Sequence, residues 1–419
     1  MTRNMTLTID GDRLWQSLMD LARIGPTAKG GSCRLALTDL DTRGRDLVTG
    51  WMKEAGLDIR VDQIGNIIGR RAGQDPDLKP VAMGSHIDTQ PTGGRFDGCY
   101  GVMAGLEVMR TLNDQGVQTR APLELMIWTN EEGARFAPAM MGSGVFCGAI
   151  ALESALETVG RDGKKVRDEL ARSGYAGSIP VPGVLPDSYF EAHIEQGPVL
   201  EDENQVIGVV TGSLALRWYD VTVTGSEAHA GPTPMHLRHD ALFAATHLMQ
   251  AVVHIARAHA PEGRGTVGIV EVRPGSPNVI PGTVRFTVDL RHEDPARLGE
   301  MDAELKRVCE QLPDTVGYPV QVSLAETWNF PATPFDAGLV GLVRAQAQAR
   351  GYSHRDIVTG AGHDAVYMAT VVPTAMVFVP CRDGISHNEA EYAEPAHLEA
   401  GANVLLGAVL ERAGACGLP

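Results

Sequence analysis

The sequence is short of positive charge, of aromatic side chains and of uninterrupted apolar stretches, and each shortage closes off a class of function. Lys and Arg number 36 against 52 Asp and Glu, a net charge of −16, which leaves no basic face for nucleic-acid phosphates. An anionic small molecule stays admissible, provided single Arg or His residues are placed inside its site. No apolar run is long enough to cross a bilayer, and the segment from Met1 to Trp15 lacks a charged start followed by an apolar stretch, so no secretory signal is expected. The six cysteines (Cys33, Cys99, Cys147, Cys309, Cys381 and Cys416) form no CxxC pair. Scattered in this way they predict reduced thiols in a cytoplasmic protein rather than a disulfide framework. Repeats and low-complexity segments are lacking too. What is present is a globular composition, 43% hydrophobic and 21% charged, over 419 residues. That length favours two domains over a single core.

The first half alternates strand-like and helix-like segments. Leu57 to Val61 and Asn66 to Arg70 flank a short turn and predict a hairpin; Val81 to Ser85, Leu123 to Trp128 and Tyr189 to His193 predict strands, with a helix from Gly98 to Leu112. Such alternation indicates an α/β sheet covered by helices. From Arg217 the pattern changes to strand (Arg217 to Thr224), helix (Asp240 to Ala258), two strands (Thr266 to Val272 and Thr283 to Leu290), helix (Pro295 to Leu312) and strand (Val320 to Leu324). This β-α-β-β-α-β order is ferredoxin-like and complete in itself. The α/β pattern resumes with a helix from Asp336 to Ala349, a strand from Thr374 to Val379 and a helix from Pro395 to Arg412. The expected fold is therefore α/β, with a catalytic domain at 1–212 and 330–419 split by an inserted domain at 213–329.

Four segments place metal-type ligands just after predicted strands. They are Gly84-Ser-His86-Ile-Asp88 with Gly93-Gly-Arg-Phe-Asp97-Gly98, then Asn130-Glu131-Glu132-Gly133, then His193-Ile-Glu-Gln196-Gly197, and Ser386-His387-Asn388. Beyond the carboxyl ends of strands such segments can converge on one crevice. Imidazole with carboxylate suits zinc, manganese, cobalt or nickel better than calcium or magnesium. Taken singly, each has a bland explanation: a structural histidine, a solvated glutamate pair, a glycine bend. Gly93 to Gly98 is no phosphate loop either, because no Gly-Lys-Ser/Thr follows. Conjunction at four strand ends raises these residues to a candidate metal site.

The same segments resemble those of the M20-type metallohydrolases. Within that group His193-Ile-Glu-Gln-Gly-Pro198, His229-Ala-Gly-Pro-Thr-Pro-Met235 and Gly360-Ala-Gly-His-Asp-Ala365 resemble the hydantoinase/carbamoylase branch. That branch comprises N-carbamoyl-L-amino-acid hydrolases, β-ureidopropionases and allantoate amidohydrolases. The resemblance covers nearly the whole chain and implies two divalent metal ions per subunit. Asp97 would bridge them, His86 and His193 completing one site, Glu132 and His387 the other. It further implies Asp88 bonded to the back of His86 and Glu131 as general base. Gln196, His229, Asn278, Arg291 and the backbone of Gly360 would bind substrate, with His229 also holding the developing oxyanion in the partner subunit's site. The expected partners are thus a small anionic ureido substrate and a second copy of the chain, the inserted domain serving as lid and dimerisation module.

An arginine such as Arg291 at a strand end can grip a carboxylate through two hydrogen bonds, which fits an N-carbamoyl amino acid without separating it from allantoate or a β-ureido acid. A peptidase or N-deacylase of the same superfamily, and a non-catalytic binding protein on this scaffold, are the rival readings. His239, His247 and His254 recur at near-heptad spacing, too far apart to share an ion, and read as packing or surface residues on one helix. Cys99 reads as a buried inert thiol, and His363 and Asp364 receive no role.

Overall fold

The computed structural model describes residues 7–416, so the first six residues of the segment read for a secretory signal lie outside it. The described chain divides into two compact units, Met1–Gly212 with Pro334–Pro419, and Ser213–Thr333.

In the first unit a mixed sheet carries the core. Its strands lie in the order Asp58–Val61, Ile67–Arg71, Leu123–Trp128, Val81–His86, Ser188–Ile194, Thr374–Val379 and Ile207–Ser213. The strands from Leu123–Trp128 through Thr374–Val379 are mutually parallel, and the flanking pairs are antiparallel. Every residue of the parallel strands is buried, as expected where helices cover both faces. The helices Cys99–Asp114 and Pro395–Ala413 pack against these strands and against each other, and both bury nearly their whole circumference. The chain steps from Val81–His86 to one neighbour, Leu123–Trp128, and then to the other, Ser188–Ile194. That reversal opens a crevice beyond the carboxyl ends of the strands.

Two helices near the start, Gly11–Ala22 and Asp39–Glu54, fall outside the elements read from the sequence. The second has a physical reason to be hidden. Its buried face carries Asp41, Gly44, Arg45, Val48 and Met52, so a charged pair interrupts the apolar stripe that would announce a helix. Asp41 and Arg45 are fully buried and 2.8 Å apart. Arg45 also donates to the Gly65 carbonyl and to Thr129 Oγ1, which makes the pair part of a buried polar network.

The second unit is an antiparallel sheet in the order Arg264–Arg273, Thr283–His292, Ala215–Thr224, Gln321–Phe330. The helices Ala241–Ala258 and Pro295–Val316 pack on it, and its elements follow one another as β-α-β-β-α-β. Inward residues alternate along the central strands: Tyr219, Val221 and Val223 on one, Val284, Phe286, Val288 and Leu290 on the next. The second helix passes the predicted end at Leu312 and continues through Pro313 to Val316. A proline there forgoes a backbone bond, but Val316 packs on the core and Gly317 closes the helix in the left-handed conformation. The last strand also runs further than Leu324, because a register shift between Glu326 and Trp328 breaks its alternation. His239 precedes the first helix, whose N-cap is Asp240, and stacks on Tyr318; only His247 and His254 lie on the helix itself.

No helix among the described residues is long and apolar enough to cross a membrane. Cys33, Cys99, Cys147, Cys309 and Cys381 are free thiols, and burial pushes Cys99 up to about 11.

Candidate metal centre

The parallel strands deliver the predicted ligands side by side. His86 is the last residue of Val81–His86, His193 is next to last in Ser188–Ile194, and Glu131 and Glu132 follow Trp128 closely. Asp97 sits just before Gly98, the N-cap of the helix Cys99–Asp114, where the helix dipole favours an anion. Glycine is required at Gly98 twice over: its φ is +64°, and a Cβ would lie 2.3 Å from the His86 ring.

Two sets of ligand atoms result, each within 4.8 Å of one another: His86, Asp97 and His193, and Asp97, Glu132 and His387. Asp97 belongs to both. Its Oδ1 is 3.2 Å from His193 Nε2 and 3.8 Å from His86 Nε2. Its Oδ2 is 3.3 Å from His387 Nε2, which lies at the same distance from Glu132 Oε2. Glu131 Oε2 is 3.5 Å from His86 Nε2. A third group, Glu191, His193 and His363, is wholly buried, and there Glu191 already accepts from Ser85, Tyr189 and the Ala365 amide.

Electrostatics separate the carboxylates. Burial alone would raise Asp97, but hydrogen bonds from His193 and His387 hold it well below the usual range. Burial, reinforced by the charges of Asp364, Glu132, Asp88 and Asp97, pushes Glu131 well above it. His387 rises to about 10 through its bonds to Asp97 and Glu132. For His193 burial works downward, yet Asp97 lifts it to about 9; burial lowers His86. This donor set, imidazoles and carboxylates around one shared and ionised Asp, fits divalent cations of the zinc, manganese, cobalt or nickel type.

Asp88 corrects an expectation in detail. The bond at the back of His86 comes from the Asp88 backbone carbonyl, 2.9 Å from Nδ1, while the carboxylate stands 3.9 Å away. That carboxylate instead accepts from the backbone N–H groups of Glu131 and Glu132. It therefore fixes the turn carrying the glutamate pair, and the carbonyl fixes the His86 tautomer.

Gln196, expected on substrate, donates Nε2 to Asp97 Oδ2 at 2.8 Å from a backbone with φ +58°. Gly360 follows the strand His354–Thr359. In the second unit His229 and Asn278 share one small ribbon: His229 pairs with Val279, and Ala230 N–H donates to the Asn278 carbonyl. Both are exposed. Arg291 lies on the main sheet of that unit, its guanidinium on Asp289 at 2.6 to 3.1 Å.

Some residues at the centre gave no sequence signal. Glu391 accepts from the Phe96 and Asp97 amides, and the Ser386 hydroxyl lies within hydrogen-bond reach of both Glu391 and Asp97. Gln90 grips Glu132. The one available cue for Glu391 was Gly94, where a Cβ would meet its carboxylate at 1.9 Å; such a close approach is invisible without the fold.

Residues 82–411 match the family described as Peptidase family M20/M25/M40. The chain belongs to this family. As a member it is a metal-dependent hydrolase acting on C–N bonds. The N-carbamoyl-L-amino-acid amidohydrolase of Rhizobium meliloti is 48% identical over 97% of either chain. The ureidoglycolate hydrolase of Arabidopsis thaliana is 35% identical, over 96% of this chain and 86% of that protein. Among solved structures, an amidase of the hydantoinase/carbamoylase family from Burkholderia vietnamiensis superposes with a TM-score of 0.91 at 56% identity, covering 97% of this chain and 98% of the other. The M20 membership and the carbamoylase-branch resemblance expected from the motifs are thereby borne out.

Proposed function

We propose that this M20 hydrolase cleaves the carbamoyl C–N bond of an N-carbamoyl L-amino acid at a binuclear metal centre, giving the amino acid, carbon dioxide and ammonia. The observation that carries the reading is Asp97, one ionised carboxylate common to two ligand groups, with Glu131 beside them. When bound, the two divalent ions would polarise the ureido carbonyl and bring the pKa of water from about 15.7 toward roughly 7.

The chain's own groups then have distinct tasks. Glu131, held above the ordinary carboxylate range, takes a proton from the attacking water and returns it to the departing nitrogen. Gln196 Oε1 is buried with no hydrogen-bond partner among the described residues, an acceptor suited to ureido N–H groups. His229 Nδ1 accepts from the Gly231 amide at 3.1 Å, so its neutral ring carries the proton on Nε2 and presents a donor. We assign that donor to the oxyanion, in the site of a second subunit, following the family resemblance; the protein would accordingly act as a homodimer. Arg291 and Asn278 would hold the substrate carboxylate and Gly360 its neighbourhood. A cytoplasmic location fits the scattered free thiols.

The relationship to a ureidoglycolate hydrolase keeps one alternative substrate class, ureido acids such as allantoate or its breakdown products, alongside β-ureido acids. Ammonia release from carbamoyl α-amino acids, carbamoyl-β-alanine, allantoate and ureidoglycolate, with amine release from N-acyl amino acids, decides among them. Highest kcat/KM on carbamoyl α-amino acids, abolished by a strong chelator and restored by Mn, Co, Ni or Zn, is the expected result. Turnover confined to N-acyl amino acids, or undiminished in metal-free protein, refutes the proposal.

A further inference from the structure

Gln90 stands in the loop that follows His86 and Asp88, and its position resolves into two hydrogen bonds on a single carboxylate. Its backbone N–H donates to Glu132 Oε1 at 3.1 Å and its side-chain Nε2 donates to Glu132 Oε2 at 2.7 Å. Nε2 also approaches the Glu132 backbone carbonyl at 3.4 Å. The loop is itself anchored, since the Gln90 carbonyl accepts from Thr89 Oγ1 and from the Gly93 amide. Glu132 is thus fixed from both oxygens while its Oε2 faces His387 Nε2 at 3.3 Å. The ligands peculiar to the other group have no comparable side-chain hold among the described residues: His86 and His193 turn Nδ1 to the backbone carbonyls of Asp88 and Ile194, and Gly98 N–H meets His193 Nε2.

We infer that Gln90 is a positioning residue for one metal position only: it aims Glu132 at the ion shared with His387 and Asp97, and so sets the affinity of that position independently of the His86–His193 position. The inference rests on the binuclear reading above. Its physics is simple. A carboxylate that accepts one hydrogen bond on each oxygen has its plane fixed, so Glu132 would meet an ion in one orientation. Groups that orient a ligand in this way are worth about 10- to 100-fold in metal affinity. The backbone bond to Oε1 survives substitution by Leu or Asn, so replacing the side chain should remove part of that hold and leave the fold intact.

The test is cobalt(II) uptake by the metal-free full-length chain, followed by calorimetry and visible absorption, in the wild type, Gln90→Leu and Gln90→Asn. Leucine keeps the volume without the amide; asparagine keeps the amide one methylene too short. Both variants should take up one ion with wild-type affinity and the second about 10- to 100-fold more weakly, with an unchanged melting temperature in the metal-free state. At subsaturating cobalt kcat should fall, and excess cobalt should restore it with KM little changed. Equal weakening of both ions shows a general structural role and overturns the inference, as does wild-type affinity at both. A wild-type chain that takes up fewer than two ions overturns the binuclear reading itself, and is seen before any variant is made.

Discussion

The two units hold their candidate functional residues in opposite ways. In the first, His86, Asp97, Glu131 and His193 are buried beyond the carboxyl ends of fully buried parallel strands, each held by backbone or side-chain bonds, and His387 is the exposed member of the cluster. In the second, His229 and Asn278 are exposed on a two-stranded ribbon, and Arg291 is half-buried on the open face of an antiparallel sheet. A buried cluster is preorganised: its geometry is set when the core folds, and its charges are strong because little water screens them. Exposed residues on a small ribbon have no such support from their own unit. They acquire a defined task only when something else is brought to them. The difference teaches that the first unit alone preorganises a cluster of ligand-type side chains, and that any task of the exposed residues of the second depends on what is brought to them.

The largest effect expected is therefore at Glu131. Glu131→Gln should lower kcat by about 10²- to 10⁴-fold, the scale of a lost general base, with both metal ions retained on elemental analysis. Glu132→Gln should instead lose an ion. Reversal of these two outcomes would exchange the roles assigned to the neighbours.

His229→Ala comes next, with a loss of about 10²- to 10³-fold, typical of an oxyanion donor. Its decisive use is in mixing. Heterodimers of His229→Ala with Glu131→Gln contain one site with both lesions and one with neither, if His229 serves the partner subunit. Activity should return, up to half the wild-type value per heterodimer. If His229 serves its own chain, each heterodimer site keeps one lesion, and demonstrated subunit exchange without recovery rejects the trans arrangement.

The first unit can also be loosened by protons. His193 and His387, raised to about 9 and about 10, are imidazolium ions at neutral pH in the metal-free chain. An ion must displace those protons, so apparent affinity falls as pH drops below these values and levels off above them. One proton released per ion gives about tenfold in affinity per pH unit. Calorimetry at pH 6, 7 and 8 in buffers of different ionisation enthalpy measures both the slope and the proton count; a flat profile contradicts the assignment of these histidines as ligands.

How much of this was legible in sequence follows the same division. The candidate ligands were readable because each lies in a glycine-flanked segment after an apolar strand, and Val81 to Ser85 or Thr374 to Val379 can only be buried. The inserted unit was readable through alternation, as in Thr283–His292. What escaped were residues whose meaning is a spatial partner far along the chain. Glu391 reaches back to Phe96 and Asp97, Gln90 to Glu132, and the buried Asp41–Arg45 pair disguised a helix. Periodicity reports the solvent or core side of a residue; it carries no information about which distant group a polar side chain will meet. The Asp88 detail makes the point on a smaller scale, because a carbonyl and a carboxylate of one residue exchanged tasks without altering the motif.

The smallest effect expected is at Arg291, and it measures how far recognition in the second unit depends on geometry rather than charge. Asp289 holds the guanidinium through Nε and Nη2, so the fork's plane is set by its own strand. Arg291→Lys keeps the positive charge and can still pair with Asp289, but a point ammonium cannot present two parallel donors to a carboxylate. For an N-carbamoyl amino acid, kcat/KM should fall by about 1.5–3 kcal/mol, the scale of a charge-assisted hydrogen bond. The control is the corresponding N-carbamoyl amino-acid amide, which has no carboxylate to grip: wild type and variant should turn over its carbamoyl group alike. Equal losses on both substrates would mean that Arg291 only braces Asp289 and the sheet, and the carboxylate clamp would then have to be sought among the other residues of the site.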